Sequence, residues 1–163
     1  MSIPPPPTLR LALWGGQPLM LARVVDGAER LMGMHLTTLE PDGTGRREKR
    51  LASGSKPLGG AIRLFNRERD KPLALAEGIE TALGVHQATG WPVWACVSAG
   101  GLAAVELPLE VHEVVVCADH DSAGLEAAHK LARRLLSEGR RVRLAVPPVE
   151  GQDWLNVLAE EVA

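Results

Sequence analysis

The stretch Ala118-Asp119-His120-Asp121-Ser122-Ala123-Gly124 decides how this chain reads. Before it, His112-Glu113-Val114-Val115-Val116-Cys117 is an apolar run of strand length. After it, residues 125–137 read as a helix, with Leu125, Ala128, Leu131, Ala132, Leu135 and Leu136 on one face. Two carboxylates, one residue apart, therefore fall where a buried strand turns into a helix. Taken alone, Asp121 and Ser122 do no more than cap that helix, because such side chains accept its unpaired N–H groups. Paired negative charge at a strand end is otherwise costly unless a cation shares the place.

Working outward, the strand-then-helix alternation repeats. Leu73-Ala74-Leu75-Ala76 is a short apolar run of the kind buried in parallel sheets. Residues 78–89 read as a helix ended by Gly90, and residues 91–97 as a second strand. Ser98-Ala99-Gly100-Gly101 turns into a short helical stretch that stops before Pro108. As a lone glycine pair it reads first as a plain turn, and second as a phosphate cradle. Gly139 ends the long helix, residues 141–146 form a fourth strand, Pro147-Pro148 breaks it, and residues 153–162 read as a last helix. The order β-α-β-α-β-α-β-α predicts an α/β fold with a four-stranded parallel sheet flanked by helices. Ligands in such sheets sit beyond the carboxyl ends of the strands. The acids Glu77, Asp119, Asp121 and Asp153 all fall there.

Between residues 72 and 129 there are eight acids and no Lys or Arg, so no local base neutralises those carboxylates. Oxygen donors without a His/Cys set fit Mg²⁺ or Mn²⁺ better than zinc. Gly78 and Gly124 allow close backbone approach beside the acids. Basic stretches bracket the acidic segment: residues 44–71 hold nine Lys/Arg against three acids, and residues 130–143 hold six against one. Such flanks suit a polyanion.

The first part of the chain has a different pattern. Residues 1–8 contain the run Pro4 to Pro7 and read as a flexible Pro-rich arm. Residues 19–25 and 31–39 are β-like, Glu40-Pro41-Asp42-Gly43-Thr44-Gly45 is a turn, and Arg46 to Arg50 is a charged run on the solvated side of a hairpin. A Gly-rich loop, residues 53–60, leads to a strand at 61–65. Residues 9–70 thus form a small antiparallel β unit before an α/β domain over residues 71–163.

The bulk properties fit this. At 163 residues the chain can bury about 70% of its unfolded surface and needs no staples. Cys96 and Cys117 make no CxxC pair and read as small buried hydrophobes. His35, His86, His112 and His129 share no metal-ligand spacing, and His120 points away from the acids in an extended turn. Trp91, Trp94 and Trp154 read as packing. No apolar run is long enough for a membrane span and no secretory signal precedes the fold, which makes a cytoplasmic location the expectation.

Three stretches together carry a family resemblance. Leu75-Ala76-Glu77-Gly78-Ile79-Glu80-Thr81-Ala82-Leu83, then Asp119-His120-Asp121-Ser122-Ala123-Gly124, then Gly151-Gln152-Asp153-Trp154-Leu155-Asn156 resemble the successive motifs of a Toprim domain. More narrowly they are similar to the Toprim domain of phage- and plasmid-type DNA primases related to the DnaG class. Lys56-Pro57-Leu58-Gly59-Gly60-Ala61-Ile62-Arg63-Leu64 is similar to the segment that precedes Toprim in those proteins. The resemblance implies a general acid/base role for Glu77, with metal contact. It makes Asp119 and Asp121 Mg²⁺ ligands at the catalytic centre and Asp153 a further acid at the metal site. Lys56 and Arg63 become contacts for nucleotide phosphate or template. Two positions depart from the pattern: Thr81 stands where many primases carry an acid, with Glu80 one step earlier, and Asn156 stands where a second acid often follows Asp153.

The expected function is RNA primer synthesis on single-stranded DNA from NTPs, dependent on Mg²⁺ or Mn²⁺. The alternatives are a Toprim nuclease and a non-catalytic nucleic-acid or nucleotide-binding module. Topoisomerase-like transesterification needs a tyrosine hydroxyl, and the chain has no Tyr. No zinc-binding module and no GxxxxGK[ST] motor motif is present. Template recognition is then expected from a helicase or zinc-binding module supplied in trans or by a longer native chain, with no membrane partner.

Overall fold

A computed structural model of the protein describes residues 5–42 and 45–161. The Gly43-Thr44 part of the expected turn lies outside them, as do residues 1–4 of the Pro-rich arm. Of the rest of that arm, Pro6 is buried and its carbonyl accepts the Leu9 N–H at 3.0 Å.

The first sheet is antiparallel, in the order β1 (Leu9–Trp14), β2 (Gln17–Val25), β3 (Leu31–Leu39) and β4 (Arg46–Leu51). The hydrophobic pattern places β2 and β3 in advance, but not β1. Leu-Arg-Leu-Ala-Leu-Trp becomes a strand because Gly15 and Gly16, at φ 57° and 79°, close a two-residue hairpin that pairs Trp14 with Gln17. The charged run is itself β4, laid against β3 from His35 opposite Leu51 to Leu39 opposite Arg46.

The second sheet has five strands, in the order β5-β7-β6-β8-β9. Here β5 is Ile62–Arg63, β6 Leu73–Ala76, β7 Val93–Ala95, β8 Glu113–Cys117 and β9 Arg141–Ala145. The last four run parallel, as the alternation predicts. The expectation of a four-stranded sheet needs one correction. Residues 62–63 leave the antiparallel unit and join the edge of the parallel sheet, antiparallel to β7, with Ile62 opposite Ala95. Local pattern cannot tell which sheet a two-residue strand will join. The join is made by Val25 and Ala61, which exchange backbone hydrogen bonds of 3.0 and 2.9 Å and so weld the two sheets.

Alternation along β6 and β8 divides the core. Leu73, Leu75, Val114 and Val116 face α2 (Ala99–Ala104) and α3 (Ser122–Ser137), where Leu102, Ala128, Leu131 and Leu135 are buried. Ala74, Ala76, Val115 and Cys117 face the other way, onto α1 (Ile79–Thr89) and onto Ala22 and Val24 of β2. Helix α4 (Trp154–Glu161) packs on α1, and its Trp154 joins that second core. Because β7 lies on one side of β6 and β8 on the other, the chain reverses its winding between β6 and β8. A crevice opens beyond the carboxyl ends of strands at such a point. Glu77 follows β6 directly and Asp119 lies two residues after β8.

Candidate active site

The loop after β8 is shaped by backbone as much as by its acids. Asp121 caps α3: its Oδ1 accepts the Gly124 N–H at 2.7 Å. Gly124 is needed there because a Cβ would stand 2.6 Å from the Asp119 carbonyl oxygen. Between the two acids, His120 turns away, and its Nδ1 lies 2.8 Å from the Pro147 carbonyl. The His120 N–H donates to the Gln152 carbonyl at 2.9 Å, and the Gly151 N–H donates to the His120 carbonyl at 2.7 Å. These three bonds tie the segment between β9 and α4 to the Asp119 loop. Asp153 is thereby brought to the same place. Its Oδ1 accepts the Asn156 N–H at 2.8 Å, while Asn156 Oδ1 accepts the Asp153 N–H at 3.1 Å. The residue that departs from the family pattern thus closes a reciprocal cap at the start of α4.

Glu77 is held from the far side. After β7, Val97 takes a φ of 74°, a strained conformation for a β-branched residue, and Ser98 then caps α2 by accepting the Gly101 N–H at 3.1 Å. Gly101 lies so close to the Cys96 carbonyl that a Cβ would stand 1.9 Å from its oxygen. This tight turn brings the Ala99 N–H to the Glu77 carboxylate, where it favours the ionised form. The Ser98–Gly101 stretch is therefore a capped helix start that serves Glu77.

The electrostatics show that the acids share one field. Asp119 is pushed up to about 6, first by burial and then by the charges of Glu77, Asp153 and Asp121, with Lys49 opposing. Glu77 is also raised, by burial and by Asp121, against the Ala99 hydrogen bond and Lys49. Asp119 Oδ1 is buried and has no hydrogen-bond partner. That is an uncompensated acceptor of the kind a cation satisfies. Among the described residues, no three His, Cys, Asp or Glu side chains lie close enough to hold an ion between them. Mg²⁺ does not require three, since it keeps several waters and takes one or two carboxylates together with substrate phosphate. The donor set fits Mg²⁺ or Mn²⁺ on those terms.

The cation that acts on both Glu77 and Asp119, Lys49, comes from β4 of the first sheet, together with Arg46. Lys49 Nζ lies 3.0 Å and Arg46 Nε 2.8 Å from the Glu80 carboxylate at the first turn of α1. The sequence does contain a signal for Lys49. Period-two alternation puts it on the same face as apolar Leu51, hence toward the protein rather than toward water. Arg63 is placed elsewhere. It donates to Glu29 at 2.7 Å and to the carbonyls of Asp26 and Gly27, and its guanidinium stacks 4.2 Å over Trp94. The charges acting on it are Glu29, Asp26 and Arg67, not the acids of the crevice. Lys56 is exposed on the loop before β5. At Gly78 a Cβ would meet only Glu80 at 3.4 Å and Lys49 at 3.8 Å, so the fold itself leaves room there.

A parallel sheet with carboxylates beyond its strand ends, at the point where the winding reverses, defines the class as a Toprim-like α/β domain. The profile of the Toprim domain family matches residues 72–163, more than half of the chain, and the chain belongs to that family. No curated protein sequence matches it. Among solved structures, the primase fragment of the bacteriophage T7 primase-helicase protein is similar over 94% of this chain and 63% of its own, at 19% identity and a TM-score of 0.65. A DNA primase domain from Pseudomonas aeruginosa is similar over 94% of this chain and 52% of its own, at 18% identity and a TM-score of 0.56. A DnaG primase catalytic domain bound to ssDNA is similar over 93% and 54%, at 19% identity and a TM-score of 0.56. At such identities the likeness is one of fold. It extends over both sheets, and the chain spans between half and two thirds of these structures. Among the described residues, no helix is long and apolar enough to cross a membrane.

Proposed function

We propose that this chain carries the nucleotidyl-transfer centre of a primase-like protein, extending RNA on a single-stranded DNA template with Mg²⁺ or Mn²⁺. The observation that carries the reading is Asp119, whose buried, unpartnered Oδ1 sits in the field of three further carboxylates at the winding reversal of a primase-like fold. Asp119 and Asp121 would hold the ion, with Glu77 and Asp153 alongside. When bound, that ion would neutralise the acids and grip phosphate oxygens of the incoming nucleotide. Glu77, with its proton affinity raised by burial, suits acceptance of the proton from an attacking hydroxyl. Lys49 and Arg46, paired with Glu80 at a half-exposed site, suit attraction of the triphosphate. Exposed Lys56 suits the template backbone, whereas Arg63 supports that side by packing on Trp94. On this reading residues 71–163 are the chemical unit and residues 9–70 form its basic wall. A zinc-binding module or helicase for template choice would come from a longer chain or a partner.

The test is primer synthesis with single-stranded DNA, labelled NTPs and Mg²⁺ or Mn²⁺, beside the Asp119→Ala, Asp121→Ala variant. RNA product lost in the variant supports the reading. Cleavage of DNA without NTPs would replace it with a nuclease. Nucleotide binding with neither activity would replace it with a binding module.

A further inference from the structure

Sheet edges expose unpaired N–H and C=O groups, and proteins usually blunt them with charge or brevity. Three of the four edges in this fold follow that practice. Edge β4 reads Arg-Arg-Glu-Lys-Arg-Leu, β5 is two residues long, and β9 carries Arg141 and Arg143 paired to Glu113. Edge β1 does not. It reads Leu-Arg-Leu-Ala-Leu-Trp, with Leu11 71%, Leu13 76% and Trp14 73% exposed. Three large apolar side chains and an open edge within four residues point to a surface that is covered in solution.

Hydrogen-bond parity says how. The two-residue loop makes Trp14 and Gln17 the hydrogen-bonded closing pair, so Trp14, Ala12 and Arg10 direct their backbone groups toward β2. Leu9, Leu11 and Leu13 direct theirs outward. Leu9 is already occupied, its N–H on the Pro6 carbonyl and its carbonyl accepting from Arg10 Nη1 at 3.0 Å. Only Leu11 and Leu13 remain open. An antiparallel copy of β1 centred on Ala12 meets this pattern: Leu11 pairs with Leu13 of the second copy, and Leu13 with its Leu11. On the opposite face Ala12 meets Ala12, and Arg10 comes to lie across from Trp14, a favourable cation–aromatic contact with no like charges opposed. Shifting the axis to Leu11 would recruit Leu9 and break its bond to Pro6, and it would also leave Trp14 without a partner.

We propose that two copies of this chain associate through β1, antiparallel about a two-fold axis at Ala12, into one continuous eight-stranded sheet. The strand is its own complement in hydrogen bonding and apolar contact, and the register sets Arg10 against Trp14 rather than against a second Arg10, which singles out a second copy over a foreign strand.

Light scattering across a concentration series should give twice the 17.4 kDa chain mass at the upper end. The double variant Leu11→Lys, Leu13→Lys should remain monomeric and keep the melting temperature of the native chain at dilutions where that chain is monomeric, because both positions are exposed. Oxidation reads the register. The central pair is not hydrogen-bonded, with Cα atoms about 4.5 Å apart, a span a disulfide accepts. Ala12→Cys should therefore cross-link readily and Leu11→Cys poorly, while Cys96 and Cys117 stay buried and inert. A chain that is monomeric throughout, including one whose β1 edge binds a different protein, overturns the proposal. So does a dimer indifferent to the lysines, or cross-linking that favours Leu11→Cys.

Discussion

Asp119 is where the chemistry of the fold is most exposed to test. Its carboxyl is held at about 6 in the folded protein against an ordinary 3.8, so between those values the native state binds more protons than the unfolded chain. Stability contributed at this residue is therefore highest at acid pH and is lost as pH rises through 6. In divalent-free buffer, the melting temperature of the native chain relative to Asp119→Asn should fall across that window. Addition of Mg²⁺ at neutral pH should recover the loss in the native chain and do little in the variant. A difference that does not change with pH would mean that Asp119 is not strained by its neighbours. Gly124→Ala should harm the same site without changing any charge, since the Cβ would collide with the Asp119 carbonyl. We expect a loss of about 1–3 kcal/mol in denaturant unfolding, with a weakened Mg²⁺ response. Asp119, Asp121 and Glu77 were legible in the sequence because each sits at the end of an apolar run, where only local pattern is needed. The tie of His120 to Gly151 and Gln152 was not, because it is made by backbone groups that any residue carries.

At the scale of elements, β4 is the informative one. A run of Arg, Arg, Glu, Lys and Arg looks like a solvated face, and by exposure it is one. Its partner strand nonetheless sets Lys49 opposite Thr37, beside α1, where the ammonium acts on Glu77, Asp119 and Glu80. A half-exposed pair such as Lys49–Glu80 adds about 0–1 kcal/mol to stability. Lys49→Ala should accordingly leave the unfolding midpoint almost unchanged. It should weaken nucleotide binding measured by titration calorimetry roughly fivefold, on the order of 1 kcal/mol for one lost charge contact, and Lys49→Arg should restore most of it. Equal losses in stability and binding would instead make Lys49 a structural residue. The α/β elements were read from sequence to within a few residues of their ends, since the long α3 has a clear helical period and short apolar runs such as Leu73–Ala76 alternate with helices. Strand β1 was missed because Ala12 and Trp14 make the face opposite Leu9, Leu11 and Leu13 largely apolar too, so no clean polar–apolar alternation marks the run as a strand.

For the whole molecule, the question is whether the two sheets behave as one unit. Sequence pattern divides them at about residue 70, where strand alternation gives way to repeated strand–helix pairs. That division describes composition, but the packing crosses it. Ala22 and Val24 of β2 are buried against Ala74, Val93 and Val115 of the parallel sheet, and β5 lies in the parallel sheet although it is adjacent in the chain to the antiparallel one. Contacts between residues so far apart in sequence have no local signature, which is why the seam could not be read in advance. Its consequence can be measured. Val24 is fully buried at the seam, so Val24→Ala removes two methyl groups from a core that both sheets share. The cost should be about 1–3 kcal/mol. If the halves unfold together, hydrogen exchange of the slowest amides in β2 and in β6 should accelerate by the same factor, and circular dichroism should follow a single transition. Were the sheets independent, only β1 to β4 would lose protection and β6 would keep its rate. Joint unfolding would mean that Lys49 is held over the carboxylates by the same core that holds the carboxylates themselves. Any loosening of the first sheet would then withdraw Lys49 from the carboxylates, so that nucleotide binding would weaken together with stability.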